Sequence, residues 1–240
     1  MSIAVKKKKT SFYLVIGMVG LLAVVIGFFT TYIRPSFSGD FNAPAIVHIH
    51  GGFAFGWILL FLVQTIAVKF RNFRLHKELG YFGLFIATGI MATMLPTGMF
   101  QVNRDLSRGT GDTAVSQIVG VVTTALMFAI LVGAGFTFRK KPKTHKRLVL
   151  LATIVLLWPA WFRFRHYFPL VPRPDIWFGV VLADSLILLS WIADKSTYGK
   201  IHPVLFYGGL LIFAEHAFEV LTFDSGPCRV LAKTIYSVLS

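Results

Sequence analysis

Long apolar stretches separated by short polar loops dominate the pattern of this 240-residue chain. Seven of the stretches have roughly the 20 residues that an α-helix needs to cross the hydrocarbon core of a bilayer. No alternation of apolar and polar residues, which would indicate strands, interrupts them. The pattern predicts seven membrane-spanning helices, at about residues 11–33, 44–68, 80–100, 115–138, 148–168, 175–194 and 203–223.

The same pattern divides the chain into three parts. Residues 1–10 form a basic segment, residues 11–223 form the membrane domain, and residues 224–240 are too short to span the membrane again. The first apolar stretch exceeds the roughly 7–15 residues of a secretory signal and lacks a small-residue cleavage site, so we predict a retained helix. We expect the tail to lie along the outer membrane surface as an interfacial segment.

Composition supports a membrane protein and excludes a soluble one. Hydrophobic residues make up 55% of the chain and charged residues only 14%, whereas a soluble domain has roughly 25% charged residues. The fold class is therefore predicted to be all-α, a seven-transmembrane-helix bundle surrounded by membrane lipids. The net charge of +14 lies in short clusters between the apolar stretches. It indicates topology signals, and we expect no nucleic-acid partner.

The distribution of Lys and Arg predicts the orientation. One side of the predicted bundle carries 16 of the 24 cations, in residues 6–9, 69–77, 139–147 and 195–200. Cytoplasmic loops are enriched in Lys and Arg. We therefore predict a cytoplasmic N-terminus and a C-terminus outside.

Three of the predicted helices begin with a His on the cytoplasmic side: His76, His145 and His202. Because His76 and His145 share the pattern His-Lys-x-Leu, one interpretation is a leading helix followed by three related helical hairpins. Lipid phosphates are the expected partners of these His residues. A shared metal site is the less favoured alternative, since the neighbouring cations oppose metal binding.

Ionisable residues at membrane depth are costly and therefore indicate function by default. In the predicted topology they concentrate in the outer halves of four helices. Helical spacing places Glu215 and Glu219 on one face of the last helix, with His216 beside them. We predict one polar pocket that faces the outer compartment and is lined by His48, His50, Arg163, Arg165, His166, Asp184, Glu215, His216 and Glu219.

Such a pocket suits a cofactor. Imidazole binds transition metals and haem iron, and Arg forks bind carboxylates such as haem propionates. The predicted cofactor-binding residues are His48, His50, His166, His216, Arg163 and Arg165. Haem b would be held by His48 or His50 together with His216. A metal ion would be held by His48, His50, His216 and Glu219. The structural alternative is that Arg163 and Arg165 pair with Glu215 and Glu219 and that the His residues lie at headgroup level.

Six spaced motifs carry a resemblance to a known group. They are His48-Ile-His50, Trp57, Gln64-Thr65, Arg74-Leu-His76-Lys-x-Leu-Gly80, His145-Lys-Arg-Leu-x-Leu-Leu-Ala-Thr153 and Gly199-x-Ile-His202-Pro203. With them the chain resembles, from Pro44 onward, a broad group of uncharacterised bacterial polytopic membrane proteins. The resemblance implies the bacterial inner membrane and no particular activity. His50-Gly51 with Trp57 is also similar to membrane cytochromes b.

Four functions remain open at this point. The first is a haem- or metal-binding protein with a redox or electron-transfer role, with quinone or other membrane subunits as partners. The second is a proton- or ion-coupled transporter of small molecules, with Asp184, Glu215 and Glu219 as the ion path. The third is a zinc-dependent membrane hydrolase, disfavoured because the spaced His motif of the seven-helix hydrolases is absent from the last helix. The fourth is an accessory subunit of a membrane complex. Whether the protein is an enzyme is left undecided.

Overall fold

The structure is a computed structural model that describes residues 12–240, and within that range it contains helices and no strand. Seven helices are long and apolar enough to cross a membrane: α1 (Phe12–Ser38), α2 (Ala45–Lys69), α3 (Phe73–Ser107), α4 (Asp112–Lys140), α5 (Pro142–His166), α6 (Asp175–Tyr198) and α7 (Pro203–Thr222). An eighth helix, α8 (Gly226–Leu239), follows. The predicted seven apolar helices are confirmed. The predicted basic segment 1–10 lies outside the described residues.

Several helices extend beyond the stretches that hydropathy marked. Helix α3 was predicted over residues 80–100, but it runs from Phe73 to Ser107. Helix α5 was predicted to begin at residue 148 and begins at Pro142. Hydropathy marks only the part of a helix that suits hydrocarbon, whereas backbone hydrogen bonding continues into the polar region on either side.

Side-chain caps define where three of the helices begin. Asn72, His202 and Ser225 each accept a hydrogen bond from a first-turn backbone N–H, at the starts of α3, α7 and α8. Pro203 and Pro227 occupy the first turns of α7 and α8, where a missing N–H does no harm. These caps satisfy donors that would otherwise be left open at the helix ends.

Helix α5 lies at the centre of the bundle. It packs against α1, α2, α4, α6 and α7. In its most apolar stretch of 18 residues, 61% of the residues are buried inside the protein. Its side chains Leu150, Leu151, Ile154 and Leu157 are at most 1% exposed. The predicted hairpin partners α2–α3, α4–α5 and α6–α7 are in contact, but α3 and α4 also pack closely. The packing therefore does not single out three separate hairpins.

The helices alternate in direction, so the connections form two faces. The lysine-rich face comprises residues 70–72, 141 and 199–202 with the adjoining helix ends. The C-terminal face comprises residues 39–44, 108–111, 167–174 and 223–240. The cytoplasmic position of the lysine-rich face stays a prediction from the distribution of cations.

Helix α8 packs on the C-terminal end of α3 and the N-terminal end of α4. Its Tyr236 hydroxyl donates to Asn103 Oδ1 (2.6 Å), and Lys233 Nζ donates to Asp112 Oδ2 (2.7 Å). At its start, Asp224 accepts from Arg229 and from the Thr113 and Ser116 hydroxyls of α4. The hydrogen bonds from Arg229 come first among the causes that lower the pKa of Asp224 below its usual range, against the opposing effect of burial.

Asp224→Asn is expected to loosen α8 from the bundle at neutral pH. A carboxyl group whose pKa is lowered by folding stabilises the folded state above its ordinary pKa of about 4, and this contribution is lost as the pH falls. The variant should therefore exchange α8 amide hydrogens several-fold faster, corresponding to about 1 kcal/mol. Wild type and variant should converge in strong acid. Hydrogen exchange of α8 peptides, corrected for intrinsic pH dependence, measures both effects.

Asp175→Asn is the matched control. Asp175 also pairs with an arginine on the C-terminal face, at 2.7 Å from Arg173, but this pair joins residues only two positions apart. Its loss should leave exchange in α8 unchanged. Equal exchange in wild type and Asp224→Asn at neutral pH would show that Asp224 does not hold α8.

Candidate functional site

A buried carboxyl–imidazole pair connects α6 and α7. Asp184 Oδ1 and His216 Nδ1 are 2.8 Å apart, and each side chain is only 2% exposed. Glu215, the neighbouring residue in α7, places Oε2 at 3.9 Å from His216 Nε2. The imidazole therefore lies between two carboxyl groups, one near each ring nitrogen.

A third carboxyl group, that of Glu219, lies one turn further along α7. Its side chain is only partly exposed. Its Oε1 atom occupies space beside Gly120 of α4 that a Cβ atom would fill. The glycine is therefore what lets α4 approach this carboxyl group. We call Asp184, Glu215, His216 and Glu219 the acidic cluster.

Local backbone structure brings the cluster together. Glu215 and Glu219 are four residues apart and lie on one side of α7, as helical geometry requires. Asp184 follows a π-helical segment, Asp175–Leu182, that opens α6. Such wider turns change which side of a helix the following residues present and are frequent at functional sites.

The cluster leaves hydrogen-bonding capacity unused. Asp184 Oδ2, Glu215 Oε2 and His216 Nε2 are all buried without a hydrogen-bond partner. The Trp158 ring lies 6.2 Å from the imidazole, centroid to centroid, and its Nε1 atom is also unpaired. Within residues 12–240, no Lys or Arg forms an ion pair with any member of the cluster. Buried polar atoms are normally paired, so these unpaired atoms make the cluster a candidate site.

The two His residues near the start of α2 lie elsewhere. His48 Nδ1 is 2.9 Å from the Tyr32 hydroxyl, and its ring also contacts Phe41. His50 Nδ1 is 2.9 Å from Thr93 Oγ1 of α3. No hydrogen bond or ring contact of the described residues joins either His to His216. The structure therefore does not show the predicted single pocket.

The arginines at the end of α5 form a second location. Arg163 donates from Nε to Thr31 Oγ1 (3.2 Å) and from Nη1 to the Pro159 carbonyl (2.9 Å). Arg165 donates to the Phe162 carbonyl (3.1 Å). The predicted ion pairs of these arginines with Glu215 and Glu219 are not among the ion pairs that the described residues form. His166, at the same helix end, is exposed.

The described residues contain no group of three or more His, Cys, Asp or Glu side chains arranged to hold a metal ion. The metal set predicted from the sequence, His48, His50, His216 and Glu219, is thus divided between separate places. Within residues 12–240, no second His lies beside His216, as bis-imidazole haem ligation would need. The metal and haem hypotheses gain no support from this structure.

Sequence reasoning missed a buried ion pair on the lysine-rich face. Arg147 of α5 donates from Nε and Nη2 to the two carboxylate oxygens of Asp194 in α6, at 2.7 and 2.6 Å. The side chains are 3% and 6% exposed. Asp194 also accepts the backbone N–H of His202 at 3.1 Å. The signal was present, because Asp194 lies among the clustered cations of the lysine-rich face, where acids are rare. Arg147 and Asp194 were interpreted only as topology signals, so the ion pair between them was not predicted.

The three His residues of the lysine-rich face do not form a common site. The rings of His76 and His145 are in edge contact, 6.2 Å between centroids. His202 instead caps α7 by accepting from the Val204 N–H. Burial lowers the pKa of His202, and the positive charge of Arg147 adds to this effect. A neutral imidazole is what a cap of this kind requires.

Comparisons with known proteins assign no function to this site. The resemblance to bacterial polytopic membrane proteins stays a prediction. No protein-family model, curated protein or solved structure matches this chain.

Proposed function

We propose that this protein is a proton-coupled transporter of small solutes in the bacterial inner membrane, and that the acidic cluster binds the coupling protons. The observation that carries the proposal is the buried Asp184–His216 pair, with Glu215 beside the same imidazole and the partly exposed Glu219 one turn further along α7. The lysine-rich face would then be cytoplasmic, and the cluster would lie in the outer half of the bundle.

Charge balance favours protons as the occupants. With all four groups unprotonated the cluster would carry three negative charges, and with His216 alone protonated it would still carry two. Neither state is acceptable at membrane depth without counter-charges, because an unpaired buried charge is strongly unfavourable. The cluster therefore has to hold protons, and the number it holds depends on its surroundings.

Access to the cluster is asymmetric. Glu219 lies one turn from Thr222, the last residue of α7, and so is close to the C-terminal face. On the other side, toward the lysine-rich face, lies an apolar layer. It is made of side chains that are at most 2% exposed: Leu151, Ile187, Leu205 and Ile212. A polar site closed on one side is what an alternating-access mechanism needs in each of its end states.

The test uses the purified full chain in proteoliposomes that enclose a pH-sensitive dye, with a more acidic medium outside. A panel of small carboxylates, phosphates, amines and neutral solutes is added in turn. At least one solute should acidify the lumen faster than buffer alone. Asp184→Asn and Glu219→Gln should abolish the solute-dependent flux, because they remove groups that exchange protons. Asp175→Asn, in the same helix as Asp184 but paired with Arg173, should transport as wild type does.

Infrared difference spectra between acidic and neutral pH supply an independent readout. A protonated carboxyl group in a dry site has a distinct C=O stretch, and part of this signal should vanish in Asp184→Asn or Glu219→Gln. The proposal is wrong if no solute moves protons and if neither substitution changes the carboxyl signal.

A further inference from the structure

In the part of the chain that the structure describes, the two arginines at the end of α5 are hydrogen-bonded only to uncharged groups. Arg163 makes its hydrogen bonds to a hydroxyl and a carbonyl, and Arg165 makes its one hydrogen bond to a carbonyl. Neither forms an ion pair within residues 12–240. These contacts orient the guanidinium groups but neutralise no charge.

Aromatic rings fix both guanidinium planes. Arg163 Cζ lies 4.1 Å from the centroid of the Phe28 ring, and Arg165 Cζ lies 3.8 Å from that of Phe162. Stacking on an aromatic ring leaves the N–H edge of a guanidinium group free to donate. The two guanidinium groups are thereby held in fixed orientations with N–H donors available to a ligand.

The surrounding charge is strongly positive. Arg163 is influenced by Arg165 and also by Arg104. The acid of this region, Asp105, already interacts with Arg104 (3.4 Å) and Arg108 (3.9 Å). It also accepts a hydrogen bond from Gln117. The charge of Asp105 also reaches Arg165, but its ion pairs are with Arg104 and Arg108, and it forms none with Arg163 or Arg165 in the described part of the chain.

The unused donors are open to the surface. Arg163 Nη2, Arg165 Nε and Arg165 Nη2 have no protein acceptor in the described part of the chain. None of them belongs to the buried, unpaired atoms. Because both side chains are only half-buried, an anion can approach from the C-terminal face.

A short row of aromatic rings leads from this pair to the acidic cluster. Arg165 stacks on Phe162, Phe162 lies 4.9 Å from Trp158, and Trp158 lies 6.2 Å from His216, each between ring centroids. The last three residues of the row belong to α5 and α7, which pack together. The arginine pair and the acidic cluster therefore lie along the same α5–α7 contact, separated by the rings of Phe162 and Trp158.

We propose that Arg163 and Arg165 bind the carboxylate or phosphate group of an anionic solute, which is the solute that the protein transports. This inference rests on the proposed function and names its substrate class. Arginine forks match the geometry of carboxylate and phosphate oxygens, which can accept two N–H donors at once. Co-transport of protons would offset the negative charge of the solute in the membrane.

The test measures binding without a proton gradient. The full chain in detergent is titrated with inorganic phosphate and with small mono- and dicarboxylates at constant ionic strength, using calorimetry. Arg163→Gln and Arg165→Gln should each weaken binding roughly tenfold or more, since each removes charge-assisted hydrogen bonds. Arg165→Lys should weaken it less than Arg165→Gln, because it keeps the charge but loses the fork. Arg173→Gln, which removes the same charge from the same face, should bind as wild type does.

Different outcomes separate this inference from the proposed function. Asp184→Asn should keep anion affinity while losing proton-coupled flux, so failure of either proposal is visible by itself. Arg165→Gln serves where Arg163→Gln fails to fold, since Arg165 makes fewer contacts.

A lipid headgroup is the competing source of the same chemistry. Nanodiscs with phosphatidylglycerol and nanodiscs with only zwitterionic lipid are compared by native mass spectrometry. If phosphatidylglycerol is retained in an arginine-dependent way and no soluble anion binds, the solute site is overturned. Unchanged anion binding in both Gln variants would overturn it as well.

Discussion

Asp194→Ala is expected to lower the free energy of unfolding by about 3–5 kcal/mol, the usual effect of removing one partner from a buried ion pair. Arg147 would keep its charge at a site where it is 3% exposed, without the carboxylate that accepts two of its N–H groups. The backbone N–H of His202 would lose its acceptor as well. Because Asp194 connects α5, α6 and the start of α7, the loss should affect the whole bundle.

Unfolding in mixed detergent micelles, followed by tryptophan fluorescence, measures the effect. Asp194→Asn should be intermediate, since it keeps one acceptor oxygen for Arg147 but loses the charge and the second acceptor. The matched control is Glu78→Ala, which breaks the exposed Arg74–Glu78 pair at 2.9 Å. An exposed pair of this kind contributes at most about 1 kcal/mol. If Asp194→Ala were no more harmful than Glu78→Ala, Arg147 would have to be satisfied by solvent at the membrane edge.

Gly27→Ala should push α1 away from α5 and destabilise the protein by about 1–3 kcal/mol, the usual effect of overpacking. A Cβ atom at Gly27 would meet the backbone carbonyl of Ala160, and backbone cannot rotate out of the way. The shift would also move Phe28 and Thr31, which contact Arg163. We therefore expect weaker anion binding in addition to lower stability.

Gly133→Ala is the control for this prediction. Gly133 is in α4, and nothing lies within 4 Å of the position that its Cβ would take. Alanine there should be neutral or stabilising by about 0.5–1 kcal/mol, because glycine is a poor helix residue. Unfolding curves of the two variants under the same conditions give the comparison. Similar stability of Gly27→Ala and Gly133→Ala would mean that the helices can separate at Gly27 without penalty.

The membrane architecture could be predicted because it depends on local physics. A stretch such as residues 45–69 is too apolar for water and long enough for a bilayer, and its backbone has to hydrogen-bond within itself. The same argument failed at helix ends: polar residues such as Arg74 and Lys77 belong to α3, although hydropathy excludes them. Hydropathy measures transfer to hydrocarbon and does not mark where a hydrogen-bonded helix stops.

The contacts among the candidate residues were predicted only in part. Depth and helical spacing selected Asp184, Glu215, His216 and Glu219 as candidates, and the structure brings Asp184 and Glu215 to His216. Similar depth does not mean contact, however, since two helices at the same level can face different neighbours. His50 illustrates this point. It lies near the start of α2, at the predicted level, but its hydrogen-bond partner is Thr93 of α3.

The sequence by itself determined seven apolar spans, the asymmetry of their cations and the set of ionisable residues at membrane depth, because these properties follow from composition along the chain. Only the tertiary structure decided which of those residues meet. The rotation of each helix about its axis is set by packing, for example by Gly27 against Ala160 and Gly120 against Glu219, and by the π-helical turns at the start of α6. Such contacts join residues far apart in the chain, so their energy is not visible in any local pattern.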